Sequence, residues 1–128
     1  MIEEREQTIK TNHATMVRDL SKPGKDIQAT LGDNDCHMVH MLLGVSGEVG
    51  ELVDALKKRI IYGKPLDITN IIEELGDIEF YLEGIRQGLG ISRIETLIAN
   101  LEKLGKRYPE GSYADHFAQA RLDKAEEK

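Results

Sequence analysis

Met38-Val39-His40-Met41-Leu42-Leu43-Gly44-Val45-Ser46-Gly47-Glu48-Val49-Gly50-Glu51-Leu52-Val53 decides the reading of this chain. At about 100° per residue, Met38, Met41, Leu42, Val45, Val49, Leu52, Val53 and Leu56 fall into one broad apolar stripe. The stripe predicts a helix that starts at Asp33 or Asn34, either of which could cap it, and runs to about Ile61. Glu48 and Glu51 share a face one turn apart and fall beside the stripe, with Gly44, Gly47 and Ala55. Each glycine inside a helix costs roughly 1 kcal/mol relative to alanine. Gly44, Gly47 and Gly50 therefore imply a packing or access reason: room for another helix, or a ligand, close to the carboxylates.

A second acidic pair follows after a 22-residue gap, Glu74-x-x-Asp77 within Glu73-Glu74-Leu75-Gly76-Asp77. It belongs to a helix expected over about residues 68–88, capped by Asp67, with Ile68, Ile71, Leu75, Ile78, Leu82 and Ile85 as its stripe. Tyr62-Gly63-Lys64-Pro65 separates the two helices. Two such helices side by side bring four carboxylates together. That arrangement is unfavourable unless a cation neutralises it, and an all-oxygen donor set suits Mg²⁺ or Mn²⁺.

Working outward, Ile9, His13, Met16, Val17 and Leu20 line one side of a helix over roughly residues 3–21, Ser21-Lys22-Pro23-Gly24-Lys25 breaks it, and residues 26–32 are ambiguous. Ser92-Arg93-Ile94-Glu95 is a capping box that opens a further helix, with Ile94, Leu97, Ile98, Leu101 and Leu104 turned inward, ending before Pro109. A short tail helix is expected from Tyr113 to about Ala125. Alternating strand patterns are lacking, so the fold class is all-α, a bundle of four main helices with short connections. One domain over residues 1–128 is expected: an N-terminal helix and loop (1–32), core helices (33–110) and a tail (111–128).

With 31% charged and 40% apolar residues, the chain should be globular rather than disordered. A net charge of −6 argues against a nucleic-acid backbone as partner. A run of about 18 apolar residues, as a membrane span needs, is not seen. The sequence begins with an acidic stretch lacking an apolar signal core, and Cys36 is the single cysteine, so a cytoplasmic setting is expected.

Placed on two neighbouring helices, Glu48-x-x-Glu51 and Glu74-x-x-Asp77 resemble the metal motifs of the MazG-type all-α nucleoside triphosphate pyrophosphohydrolases. Asn100-Leu101-Glu102-Lys103-Leu104-Gly105-Lys106-Arg107-Tyr108-Pro109 resembles the basic stretch that ends the fourth helix in that family, and the resemblance covers roughly residues 35–123. It implies cleavage of a (deoxy)nucleoside triphosphate between the α and β phosphorus atoms, giving monophosphate and pyrophosphate. Glu48, Glu51, Glu74 and Asp77 would hold Mg²⁺ (or Mn²⁺), with Glu51 or Glu48 serving as base, and Glu73 in a supporting place. Asn100, Lys103 and Arg107, on one helical face, with Tyr108 beside them, would contact the substrate. Such proteins are dimers or tetramers, so a homodimer or homotetramer is expected. Tryptophan, on which some relatives stack the base, is absent; Tyr62, Phe80, Tyr81, Tyr113 or a histidine would take its place.

Two alternatives stand beside this reading. One is within the superfamily: a phosphoribosyl-ATP pyrophosphohydrolase, or a dUTP- or dCTP-specific enzyme. The other is a non-catalytic helical scaffold, which would gain nothing by keeping four acids together. Bland readings also exist: His13 as a semi-buried structural residue, and Arg121 and Asp123 as a simple pair in the tail.

Overall fold

The computed structural model describes residues 1–127. These form six α-helices and a final 3-10 segment, with no strand among the described residues: α1 Ile2–Leu20, α2 Gly24–Thr30, α3 Asp33–Ile60, α4 Ile68–Leu89, α5 Arg93–Arg107, α6 Asp115–Ala120 and the 3-10 segment Leu122–Glu127. The ambiguous stretch before α3 is thus a short helix of its own, started by Pro23, whose fixed φ of −59° suits a helix entry. The chain divides into two compact units, Met1–Cys36 and His37–Lys128.

In the first unit, α1 keeps the expected period, yet its apolar residues stay in solvent: Ile9, Met16, Val17 and Leu20 are all exposed. His13, expected to be semi-buried, is exposed as well, because nothing covers that side of α1 within its unit.

Local chemistry sets the helix ends in the second unit and at its border. Helix α3 starts at Asp33, where its start was expected. Asp33 is already helical, and Gly32 precedes it, donating its N–H to Asp35 Oδ2 at 2.9 Å while its carbonyl takes the Cys36 N–H. Asp67 caps α4 as expected, accepting the Asn70 N–H at 3.0 Å. The helix ends on Gly90 in the left-handed region at φ 67°, with Ile91 N–H returning to the Arg86 carbonyl. Ser92 and Glu95 form the full capping box of α5.

Helices α3 and α4 run antiparallel. As residue numbers rise along α3, the partners on α4 fall: His37 Nε2–H donates to the Gly84 carbonyl at 2.9 Å, Met41 lies on Gly84, and Gly44 lies on Tyr81. A Cβ on Gly44 would fall inside the Tyr81 ring, and one on Gly84 would meet the Met41 sulfur. Glycine is required at both places for the helices to approach. Met41, 6% exposed, is the single residue buried as a whole among the described residues. Arg86 Nε donates to Glu83 at 2.9 Å, and Glu79 lies within 4.0 Å of both Arg86 and Arg93, which brings the start of α5 to α4.

The apolar stripes are only partly covered. Leu42, Val49 and Val53 of α3 remain exposed, as do Ile94, Leu97, Ile98, Leu101 and Leu104 of α5, the last group having been expected to face inward. The tail differs too. The expected helix to Ala125 stops at Ala120, Arg121 adopts φ 50° and ψ 51°, and the chain resumes as the 3-10 segment.

Candidate metal and substrate site

The antiparallel register places Glu48 of α3 opposite Glu74 and Asp77 of α4. One carboxylate oxygen from each of the three lies within 4.8 Å of the others. The helical spacing explains this: Glu74 and Asp77 stand one turn apart on the face of α4 that meets α3, and Tyr81, a further turn on, sits on Gly44. Glu48 and Glu74 are half-buried and Asp77 is exposed.

Glu48 Oε2 and Glu74 Oε2 are both shut off from solvent, and neither has a hydrogen-bond partner. Buried carboxylate oxygens without a donor are unfavourable, since the lost hydration is not replaced. Among the described residues, no ion pair links a basic side chain to Glu48, Glu74 or Asp77. The charges therefore act on one another. The neighbouring Glu74 carboxylate, partial burial and the charges of Glu51 and Asp77 push the Glu48 carboxyl up to about 7. Glu74 is raised as well: the neighbouring Glu48 carboxyl favours its charged form, but burial, Glu51 and Asp77 outweigh that pull. Without a cation, the pair holds a proton near neutral pH.

Two partner-less oxygens and a third carboxylate, all hard donors at mutual distances that one ion can span, fit a divalent cation of the Mg²⁺ type. Glu51 is not one of the three. It is exposed and sits beside the group, near enough for its charge to act on both Glu48 and Glu74. Glu73 is exposed and outside the group. Gly47 and Gly50, expected to admit a close neighbour, face open space within the protomer; among the α3 glycines, Gly44 alone meets a close neighbour there.

The four expected substrate contacts lie elsewhere in the second unit. Asn100 and Lys103 are exposed on α5. Lys103 lines a cleft of about 250 Å³ with Lys106 and with Asp123 and Lys124 of the tail. Arg107 is held by Asp123, Nε donating to Oδ1 at 2.8 Å and Nη2 to Oδ2 at 3.0 Å. Tyr108 is half-buried and stacks obliquely on Tyr113, ring centres 5.9 Å apart, in an apolar cleft of about 440 Å³ that includes Leu101 and Leu104. Near the carboxylates, Tyr81 meets Phe80 edge-on at 5.1 Å and His40 at 6.3 Å. Arg121, read as Asp123's partner, is a minor one at 3.8 Å, and the Arg107 pairing was missed. The signal that could have found it is weak: an acid some 16 residues downstream, brought back only by the turn at Arg121.

Fold and site together define an all-α protein with a cluster of three carboxylates that could hold a metal ion. A family model, the MazG nucleotide pyrophosphohydrolase domain, matches residues 38–112, more than half of the chain, and the chain belongs to that family. No curated protein and no solved structure gives a significant match. Among the described residues, no helix is long and apolar enough to cross a membrane.

Proposed function

We propose that this protein is a Mg²⁺-dependent hydrolase that splits (deoxy)nucleoside triphosphates into monophosphate and pyrophosphate, removing surplus or non-standard nucleotides. The observation that carries the reading is the pair of buried, partner-less oxygens on Glu48 and Glu74, with Asp77 completing a three-carboxylate set. Family membership gives that set its chemistry.

Glu48, Glu74 and Asp77 would hold the cation, with Glu51 at its edge. The cation would supply neutralisation for the phosphate oxygens and acidify nearby water. Water adds across the α–β anhydride: its hydroxyl ends on one phosphoryl group, and the other departs with the bridging oxygen. The proton released goes to a carboxylate. Glu51 is favoured over Glu48 for this role, because it is exposed and lies outside the three-ligand set. Lys103 and Arg107 would bind the phosphates, with Asn100 and Tyr108 beside them.

A homodimer or homotetramer accompanies this reading. The uncovered apolar faces of α3 and α5 would be closed by copies of the chain. A cytoplasmic setting agrees with the single free, exposed Cys36.

The test is pyrophosphate release from a panel of (deoxy)nucleoside triphosphates and phosphoribosyl-ATP with Mg²⁺, coupled to inorganic pyrophosphatase. Turnover of several nucleotides supports housecleaning, and turnover of one alone supports a pathway enzyme or a dUTP- or dCTP-specific form. No turnover with Mg²⁺ or Mn²⁺ leaves the scaffold reading in its place.

A further inference from the structure

We propose that Asp123 is a positioning residue: it holds the Arg107 guanidinium so that its remaining N–H groups, with Lys103 one helical turn away, are set in advance for a polyphosphate. The inference rests on the reading of Arg107 and Lys103 as phosphate contacts. Asp123 lies outside residues 38–112, so the family match assigns it nothing.

The geometry is specific. The Asp123 side chain is 2% exposed and that of Arg107 is 17% exposed. The two carboxylate oxygens take the Nε hydrogen and one Nη2 hydrogen of Arg107. A guanidinium has five N–H donors, so three remain; one on Nη1 and one on Nη2 form the fork that matches a phosphate, and Tyr108 also acts on the group. A surface arginine left to itself samples many rotamers, and binding must then order it. Here that ordering is done before the ligand arrives.

The backbone is bent to achieve it. Arg121 sits at φ 50°, an unfavourable place for a residue with a Cβ, and Lys124 N–H returns to the Arg121 carbonyl at 2.8 Å. This turn ends α6 and carries Asp123 back onto α5. The cleft it closes is lined by Lys103, Lys106 and Lys124, against the acids Glu102 and Asp123. Arg107 and Arg121 both bring positive charge next to Asp123.

The probe is inorganic tripolyphosphate, titrated calorimetrically into the full chain and its variants. Asp123→Asn should weaken binding about tenfold, as expected when a charge-assisted contact is disordered. Arg107→Ala should weaken it at least as much, and adding Asp123→Asn to Arg107→Ala should change nothing further. In turnover, Asp123→Asn should raise KM with kcat little changed, and Asp123→Glu should restore part of the loss. The Arg107 Nε–H signal, slow to exchange in the wild type, should exchange rapidly in Asp123→Asn. If Asp123→Asn does not fold, Arg107→Lys removes the fork and should weaken tripolyphosphate binding by a similar factor. Unchanged or tighter binding in the folded variant tested overturns the proposal, as does a wild type that does not bind tripolyphosphate. A wild type that binds tripolyphosphate yet hydrolyses no nucleotide overturns the proposed function and leaves the role of Asp123 standing.

Discussion

Glu48 carries the plainest consequence of the site's electrostatics. Its carboxyl is raised from about 4.5 to about 7 by Glu74, burial and the neighbouring acids. The folded, metal-free protein therefore holds a proton that the unfolded chain releases across that interval. A raised folded-state value means the stabilising proton is present below the unfolded value and lost as pH rises through the folded one. Without metal, thermal stability should fall between about pH 5 and pH 8, and Glu48→Gln should flatten that slope; a calorimetric melting series in EDTA measures both. Since a cation must displace the same proton, Mg²⁺ affinity in the wild type should rise across the same interval. Isothermal titration at several pH values checks this, and an affinity independent of pH would remove the shared-proton description. Glu51→Gln should leave Mg²⁺ binding largely in place and abolish turnover, because this exposed carboxylate lies outside the three-ligand set. Wild-type turnover in that variant would show that Glu51 is not the base.

At the scale of the elements, the α3–α4 contact depends on Gly44. Ala there puts a methyl inside the Tyr81 ring, and overpacking of this kind costs about 1–3 kcal/mol. Gly44→Ala should lower the urea midpoint, and it should also weaken Mg²⁺ binding, because the same helix contact sets the distance from Glu48 to Glu74. At Arg121 the sign reverses. Arg121→Gly relieves a left-handed residue at the loss of a long, half-exposed ion pair, so the melting temperature should rise or hold. The helices, caps and acidic pairs were legible in the sequence because each is local: a 3.6-residue period, an Asp or Ser at a cap, an i to i+3 spacing. The exposure of Glu51 beside the half-buried Glu48 was not legible, since spacing defines a face and not a depth. Arg107's engagement by Asp123 was hidden for a related reason: it depends on one backbone turn in a tail too short to show a period. The break of that tail at Arg121 has no sequence signal of the glycine or proline kind.

For the whole molecule, the decisive quantity is the apolar surface left open. Leu101 is 72% exposed and Ile94 is 63% exposed, on a helix whose other flank is charged. Fully burying one such side chain contributes about 1.5–3 kcal/mol, so a face of five can outweigh the entropy of association. A soluble chain does not ordinarily leave such a stripe in water. If copies of the protein close on α5, then Leu101→Asp should shift the sedimentation coefficient toward a monomer, whereas Glu110→Ala, a charge change beyond the end of α5, should not. The same experiment bears on Gly47, which faces open space within the protomer. There, alanine should stabilise the lone helix by roughly 1 kcal/mol through propensity alone. If Gly47→Ala instead lowers the melting temperature and dissociates the oligomer, a neighbouring copy must approach that face, and the α3 glycines would serve the assembly as well as the protomer. A wild-type protein that sediments as a monomer at micromolar concentration would contradict the closure of α5 by another copy.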